Sequence, residues 1–151
     1  MESIRLKARA KINLGLDVIG RRENGYHDVR MVMQTVGLYD RIIMTRIPEK
    51  EIRIKTNIGF LPVNENNLVY KAIMLMKSKY KLDGGIEVDL NKFIPVAAGM
   101  AGGSSDAASA LFGMNRLYEL NLPIGELMNI GVEIGADVPY CIMRGTALAE
   151  G

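Results

Sequence analysis

Residues 4–18 read IRLKARAKINLGLDV. Ile4, Leu6, Ala8, Ala10, Ile12, Leu14, Leu16 and Val18 hold the even positions, and Arg5, Lys7, Arg9, Lys11, Asn13 and Asp17 hold odd ones. A period of two puts alternate side chains on opposite faces of an extended chain. The stretch therefore predicts one long strand, or two in succession, with a buried face and a polar face. Lys11 and Asn13 are expected side by side on the polar face. ENGYH (23–27) follows, and its Asn24-Gly25 pair is the strongest short hairpin signal.

A second extended run is expected to about Val36, with further strands near 40–46 and 51–56. After the loop FLPVNENN (60–67), the pattern predicts a helix from Asn67 to Lys81, with Leu68, Ala72, Leu75 and Met76 facing inward. Asp83-Gly84-Gly85 breaks it, and IEVDLN (86–91) alternates as a strand. A helix rich in small residues is expected from Ser105 to Glu119. Pro123 opens another to about Ile134, with Gly135 placed as its C-cap. Strands first and helices later predict an α+β fold, a sheet covered by helices.

The chain has 151 residues, enough for one domain with a sizeable core. Its 48% hydrophobic and 24% charged residues are those of an ordinary globular protein. The net charge of +2, from 19 basic and 17 acidic side chains, suits an anionic ligand. The basic clusters RLKARAK (5–11) and GRR (20–22) are short and carry no aromatics, so nucleic acid is not an expected partner. No run approaches the ~18 apolar residues of a membrane helix, and the charged start MESIRLKARAK has no signal-peptide core. With a single cysteine, Cys141, no intrachain disulfide can form. These features together predict a cytoplasmic protein in a reducing compartment.

The chemistry is concentrated in PVAAGMAGGSSDAAS (95–109). It has no lysine where a Walker A loop requires one, and neither G-x-G-x-x-G nor G-x-S-x-G occurs in it. Glycines that reach positive φ can turn successive N–H groups inward as an anion nest, and the following helix adds a positive end. Phosphate binding and a plain turn capped by Ser105 or Asp106 are the two readings. Small residues from Ala97 to Ala110, more than a cap requires, favour phosphate. Lys11 reads either as a solvated strand lysine or as a functional one, singled out by Asn13 beside it. Tyr26 and His27 form the one aromatic–imidazole pair of the chain. With one histidine there is no multi-histidine metal site, and the metal ligands stay unassigned. Asp137, in IGADVPY (134–140), reads either as an N-cap for a helix begun by Val138-Pro139 or as a carboxylate presented to the phosphate loop.

PVAAGMAGGSSDAAS resembles the second motif of the GHMP kinases, which bind ATP without a Walker A loop. AKINLGLDVIGRRENGYHDV (10–29) and GADVPYCIMRGTALAEG (135–151) are similar to the branch of that superfamily whose substrate is the cytidyl diphosphate ester of methylerythritol, in non-mevalonate isoprenoid synthesis. The resemblance covers essentially the whole chain. It implies a ribosomal-protein-S5-domain-2-like sandwich of mixed sheet and helices, with residues 1–151 as the GHMP kinase N-terminal, ATP-binding domain and the C-terminal GHMP domain absent from these residues. It also implies that the γ-phosphoryl of ATP, carried with Mg2+, moves to the 2-hydroxyl of the methylerythritol unit. Lys11 and Asp137 match the catalytic pair and are expected to approach within salt-bridge distance. Pro95, Val96, Ala97, Ala98, Gly99, Met100, Ala101, Gly102, Gly103, Ser104 and Ser105 match the ATP phosphate loop, with Mg2+ near Ser105. Asn13, Tyr26 and His27 match substrate positions, the tyrosine ring stacking on cytosine, and Asn66 and Asn67 are expected near adenine. As a portion of a longer enzyme, the chain is expected to expose an apolar surface that invites self-association, and its activity by itself is doubtful because the site would lack one wall. A sibling kinase for another small alcohol and a noncatalytic S5-like binding module are the competing readings.

Overall fold

The computed structural model describes residues 1–21, 27–95 and 102–149, with side chains at 1–11, 37–95 and 102–143. The alternating stretch forms β1 (Ser3–Arg21), which pairs antiparallel with β2 (His27–Ile47) from Ser3↔Thr45 through Arg21↔His27. The Asn24-Gly25 turn falls outside the described residues. The expected strands to Val36 and at 40–46 are one continuous element, interrupted by a bulge and not by a turn. Arg9 pairs with Tyr39 and Lys11 with Thr35, so Ala10 alone faces residues 36–38. Further register shifts follow between Asn13 and Gly15 and between Val18 and Gly20. Each extra residue bends the strand and breaks its alternation locally.

β3 (Ile52–Thr56), α1 (Leu68–Tyr80) and β4 (Gly85–Asn91) make a crossover unit, with β4 parallel to β3 and antiparallel to β2. Asn67 caps α1 by accepting the Val69 N–H at 2.8 Å, and Lys81 ends it at φ 52°. Val69, Ala72, Ile73 and Met76 are the buried residues of α1, so its inner face is rotated from the expected one, and Leu68 and Leu75 lie at its margin. A fifth strand, β5 (Thr146–Ala149), was not expected. It pairs antiparallel with Arg5–Ala8 of β1, giving a mixed sheet in the order β3-β4-β2-β1-β5.

α2 (Gly102–Leu117) starts three residues earlier than expected. α3 (Ile124–Val132) follows Pro123 and ends with Glu133, not Gly135, at the C-cap. The Gly135 N–H instead bonds the Gly131 carbonyl, because the chain is already turning toward α4 (Val138–Tyr140) and a π-helical turn at Cys141–Gly145. The core lies between the helices and the sheet face of Ile4, Leu6, Ala8, Ile42, Met44, Ile86, Val88 and Leu90. A Cβ on Gly113 would come 2.5 Å from Met44 Sδ and 2.9 Å from Leu6 Cδ1, so α2 rests directly on β1 and β2 at that point. Burying each large aliphatic side chain in this layer contributes roughly 1.5–3 kcal/mol. No helix among the described residues is long and apolar enough to cross a membrane.

Candidate active site

The bulge at Ala10 sets Lys11 apart. Arg5 is exposed and Lys7 and Arg9 are half-buried, whereas Lys11, next along the alternating row, is 7% exposed. Alternation fails where the register shifts, so Lys11 leaves the solvated row it was expected to share with them. Among the described residues no carboxylate lies within 4 Å of its ammonium.

Asp137 stands at the N-cap position of α4, yet its side chain makes no capping hydrogen bond, and the residue is exposed. The structural reading of this aspartate is thus only half met: the position is right, and the carboxylate is not spent on it. Among the described residues Lys11 and Asp137 make no ion pair with one another, so the expected salt-bridge contact is not made; both charges act on the Cys141 thiol. Burial pushes the Cys141 thiol up to about 12, with the Asp137 and Asp106 charges adding to the rise and Lys11 opposing it. The folded protein is therefore expected to resist iodoacetamide at pH 8, with alkylation appearing only on addition of urea; labelling at the rate of a free thiol would contradict this burial.

At the glycine-rich segment, Pro95 is exposed and residues 96–101 lie outside the described residues, so Val96, Ala97, Ala98, Gly99, Met100 and Ala101 are not placed. Gly102, Gly103, Ser104 and Ser105 form the first turn of α2. Neither Gly102 nor Gly103 has positive φ, so the nest expected from such a backbone is not made at these two residues. What Gly102 supplies is room: a Cβ there would come 3.2 Å from both Ile94 Cγ2 and Lys92 Nζ. Gly103 is exposed at the helix start, Ser104 is half-buried, and the fully buried Ser105 donates its hydroxyl to the Arg9 carbonyl at 2.6 Å. That bond ties the start of α2 to β1 two residues before Lys11. It uses the proton of the hydroxyl expected near Mg2+ and leaves the lone pairs of that oxygen. Among the described residues no group of three or more His, Cys, Asp or Glu side chains could hold a metal.

Asn13 and His27 are placed by backbone only, opposite Met33 and Arg21, and Tyr26 is outside the described residues. Asn67 has both ends of its amide engaged, accepting from Val69 N–H and donating to the Pro62 carbonyl at 2.9 Å; the Asn66 N–H donates to Asn64 Oδ1 at 3.0 Å.

Sequence reasoning missed a buried charged triad beside the segment. Lys92 Nζ donates to Asp40 Oδ2 and to Asp106 Oδ2, both at 2.6 Å. Asp40 and Asp106 are 0% and 2% exposed. Asp40 Oδ1 accepts the N–H groups of Phe93 and Ile94 at 2.7 and 2.8 Å. Neither Asp106 nor Ser105 caps α2: both lie inside the helix. Burial, and a hydrogen bond with Asp40, raise the Asp106 carboxyl well above its ordinary value. Burial also opposes ionisation of Asp40, but hydrogen bonds from Asp106, the Ile94 N–H and Lys92 outweigh it and hold that carboxyl low. Lys92 is likewise penalised by burial, and the two acids more than restore its charge. Asp106 Oδ1 is buried without a partner, which an uncharged acid tolerates far better than a carboxylate.

A pH dependence follows with a definite sign. A folded value raised above the unfolded 3.8 means that Asp106 loses stabilising influence as pH climbs from 3.8 through its folded value. Asp40, held low, acts in the opposite sense and loses its influence as pH falls below 3.8. Asp106→Asn is therefore expected to gain in urea-unfolding stability relative to wild type as pH rises above 4, a trend checked by parallel titrations of both proteins. A constant difference across that range would show that Asp106 is ionised in both states.

Comparison with known proteins gives a consistent picture. The sequence profile described as GHMP kinases N terminal domain matches residues 67–145. A protein of Lachnospira eligens named 4-diphosphocytidyl-2-C-methyl-D-erythritol kinase is 93% identical over all 151 residues, which cover 52% of its length. One of the same name from Lachnoclostridium phytofermentans is 60% identical with the same coverage. The chain thus spans about half the length of the curated relatives it matches. Among solved structures, a 4-(cytidine 5'-diphospho)-2C-methyl-D-erythritol kinase superposes with a TM-score of 0.77 at 34% identity, covering 98% of this chain and 52% of that one. A homoserine kinase from Cytophaga hutchinsonii shares the fold at a TM-score of 0.76 and 20% identity, covering 98% and 48%.

Proposed function

Because the chain belongs to the GHMP kinase N-terminal domain family, we propose that residues 1–151 form the nucleotide-binding half of an ATP-dependent kinase. Its acceptor is the 2-hydroxyl of 4-diphosphocytidyl-2-C-methyl-D-erythritol, a step of non-mevalonate isoprenoid synthesis in the cytoplasm. The observation that carries this reading is the 93% identity, without interruption in coverage, to a kinase of that name. A C-terminal domain of similar size completes the site.

Phosphoryl transfer depends on positioning and charge stabilisation more than on covalent chemistry. Pro95 through Ser105 hold the ATP phosphates, with the exposed start of α2 contributing N–H donors and its positive end. Asp137, exposed and making no cap bond, accepts or orients the proton of the acceptor hydroxyl. Lys11, shielded from water by the bulge, steadies negative charge on the transferring phosphoryl oxygens. Asn13, Tyr26 and His27 line the cytidyl side. Mg2+ would arrive with the ATP phosphates, keeping most of its ligands from them and from water.

The test is turnover. The protein extended through the remainder of its relatives' length is expected to release ADP from ATP with the cytidyl substrate, and not with mevalonate or homoserine. Equal turnover of those alcohols would favour a sibling kinase. Absence of turnover with all three would remove the kinase reading.

A further inference from the structure

We propose that the sheet face turned away from the helices binds single-stranded RNA, through the cations Arg5, Lys7, Arg9 and Arg41 and the rings of Tyr39 and Phe93. The inference is independent of the kinase reading, in which none of these residues takes part.

Register makes the face. Ile4, Leu6, Ala8, Ile42 and Met44 point into the core, so the residues between them point the other way. Antiparallel pairing then sets Lys7 opposite Arg41 and Arg9 opposite Tyr39. RLKARAK carries no ring, which speaks against nucleic acid in the sequence; the fold brings rings to it from β2 and from just beyond β4. Lys7 Nζ lies 5.0 Å and Arg9 Cζ 6.0 Å from the centre of the Tyr39 ring, and Arg41 Cζ 6.0 Å from that of Phe93. Phe93 is 52% exposed, yet its N–H is anchored on the buried Asp40 carboxylate. Phe93, Arg41 and Tyr39 line a groove of about 350 Å³ with Gly37 and Leu38.

The charge of this corner is uncompensated. Among the described residues no carboxylate lies within 4 Å of any of the four cations. Elsewhere on the same face, by contrast, Arg53 pairs with Glu49, Glu51 and Glu87, and Lys55 with Glu87. Lys7 and Arg41, directly opposite on neighbouring strands, repel one another, a cost that an anion lying across them relieves. Arg5, Lys7 and Arg9 recur at every second residue, about 6.5–7 Å apart, close to the phosphate spacing of an extended single strand. An acidic peptide would meet the charge and leave the rings unused, whereas every base has a face that stacks on a ring. The Tyr39 hydroxyl makes no hydrogen bond among the described residues. Both donor and acceptor, it suits a ribose 2′-hydroxyl.

The experiment is fluorescence anisotropy with a labelled oligouridine of about 12 nucleotides, on the protein extended through its relatives' length and over a salt series. Wild type is expected to bind with log Kd rising against log salt at a slope of about 2–3, as for three or four phosphate contacts. Arg41→Ala is expected to lower that slope by about 0.7. Phe93→Ala is expected to weaken binding about tenfold with the slope kept. Lys55→Ala, among the paired charges, is expected to stay within about twofold of wild type. The 2′-deoxy strand is expected to bind about threefold more weakly or worse, a difference that Tyr39→Phe abolishes. The substituted side chains are half-buried or exposed, so the variants fold. No binding at about 50 mM salt, or binding indifferent to Phe93→Ala, would overturn the proposal. Polyglutamate that displaces the RNA at equal charge concentration would overturn it too, in favour of an acidic protein partner. Equal binding of the deoxy strand would overturn the assignment to RNA.

Discussion

Asp137→Asn in the extended protein is expected to lower kcat by about 10²–10⁴-fold, the range over which a positioned acid or base acts. The substitution separates the two readings of this residue. Asparagine caps a helix as well as aspartate does, so a purely structural Asp137 would be replaced with little consequence. The side chain makes no cap bond in any case, and unfolding stability is expected to change by less than about 0.5 kcal/mol. A catalytic Asp137 loses its proton acceptor while KM for ATP stays near its wild-type value, because the proposed phosphate site lies elsewhere in the sequence. Lys11→Ala is expected to lower kcat by about 10²–10³-fold, as for the loss of one group stabilising charge in the transition state. If both residues serve the same transferring group, the double variant falls by much less than the product of the single effects. Full multiplicativity would mean that they act at separate places.

The second large effect is on stability. Lys92→Met is expected to cost about 3–5 kcal/mol, the usual penalty for removing one partner of a buried ion pair. That is a large part of the ~5–15 kcal/mol that holds a domain folded. Methionine nearly matches the lysine in volume, so the loss is electrostatic and not a cavity. Two acids then face each other with no cation between them. They become easier to accommodate as they protonate, so the deficit is expected to shrink as pH is lowered from 8 toward 4.5. Urea unfolding of wild type and variant at both pH values measures it. A deficit independent of pH would mean that the ammonium contributes by packing alone.

Much of the fold was legible because local chemistry and tertiary structure agree. The alternation of residues 4–18 gave β1, Asn67 marked the start of α1, and Asp83-Gly84-Gly85 separated α1 from β4. The departures are places where the deciding partner is distant in sequence. β5 is a short run of mostly small residues that becomes a strand by lying along the edge of β1. The bulge that buries Lys11 needs residues 36–38 of β2 opposite Ala10, and nothing in AKINL shows them. The triad did leave a trace. Asp40 shares the inward row of Ile42 and Met44, and Asp106 shares the helical stripe of Ala110, Gly113 and Leu117. A carboxylate on an apolar face requires a partner, but which lysine answers it is fixed only by the packing of α2 on the sheet.

The place of β1 in the sheet has a consequence for how the protein comes to be made. Its partner on one side, β2, follows at once and can zip up as a hairpin during synthesis. Its partner on the other side, β5, is drawn from residues 146–149, so the edge at Arg5–Ala8 stays open until nearly the whole stretch has left the ribosome. An unpaired edge is where strange chains add on. Arg5 and Lys7, alternating along it, put charge on that rim through the interval when it is exposed. The same residues that announce the strand in the sequence thus act as its guard until β5 arrives.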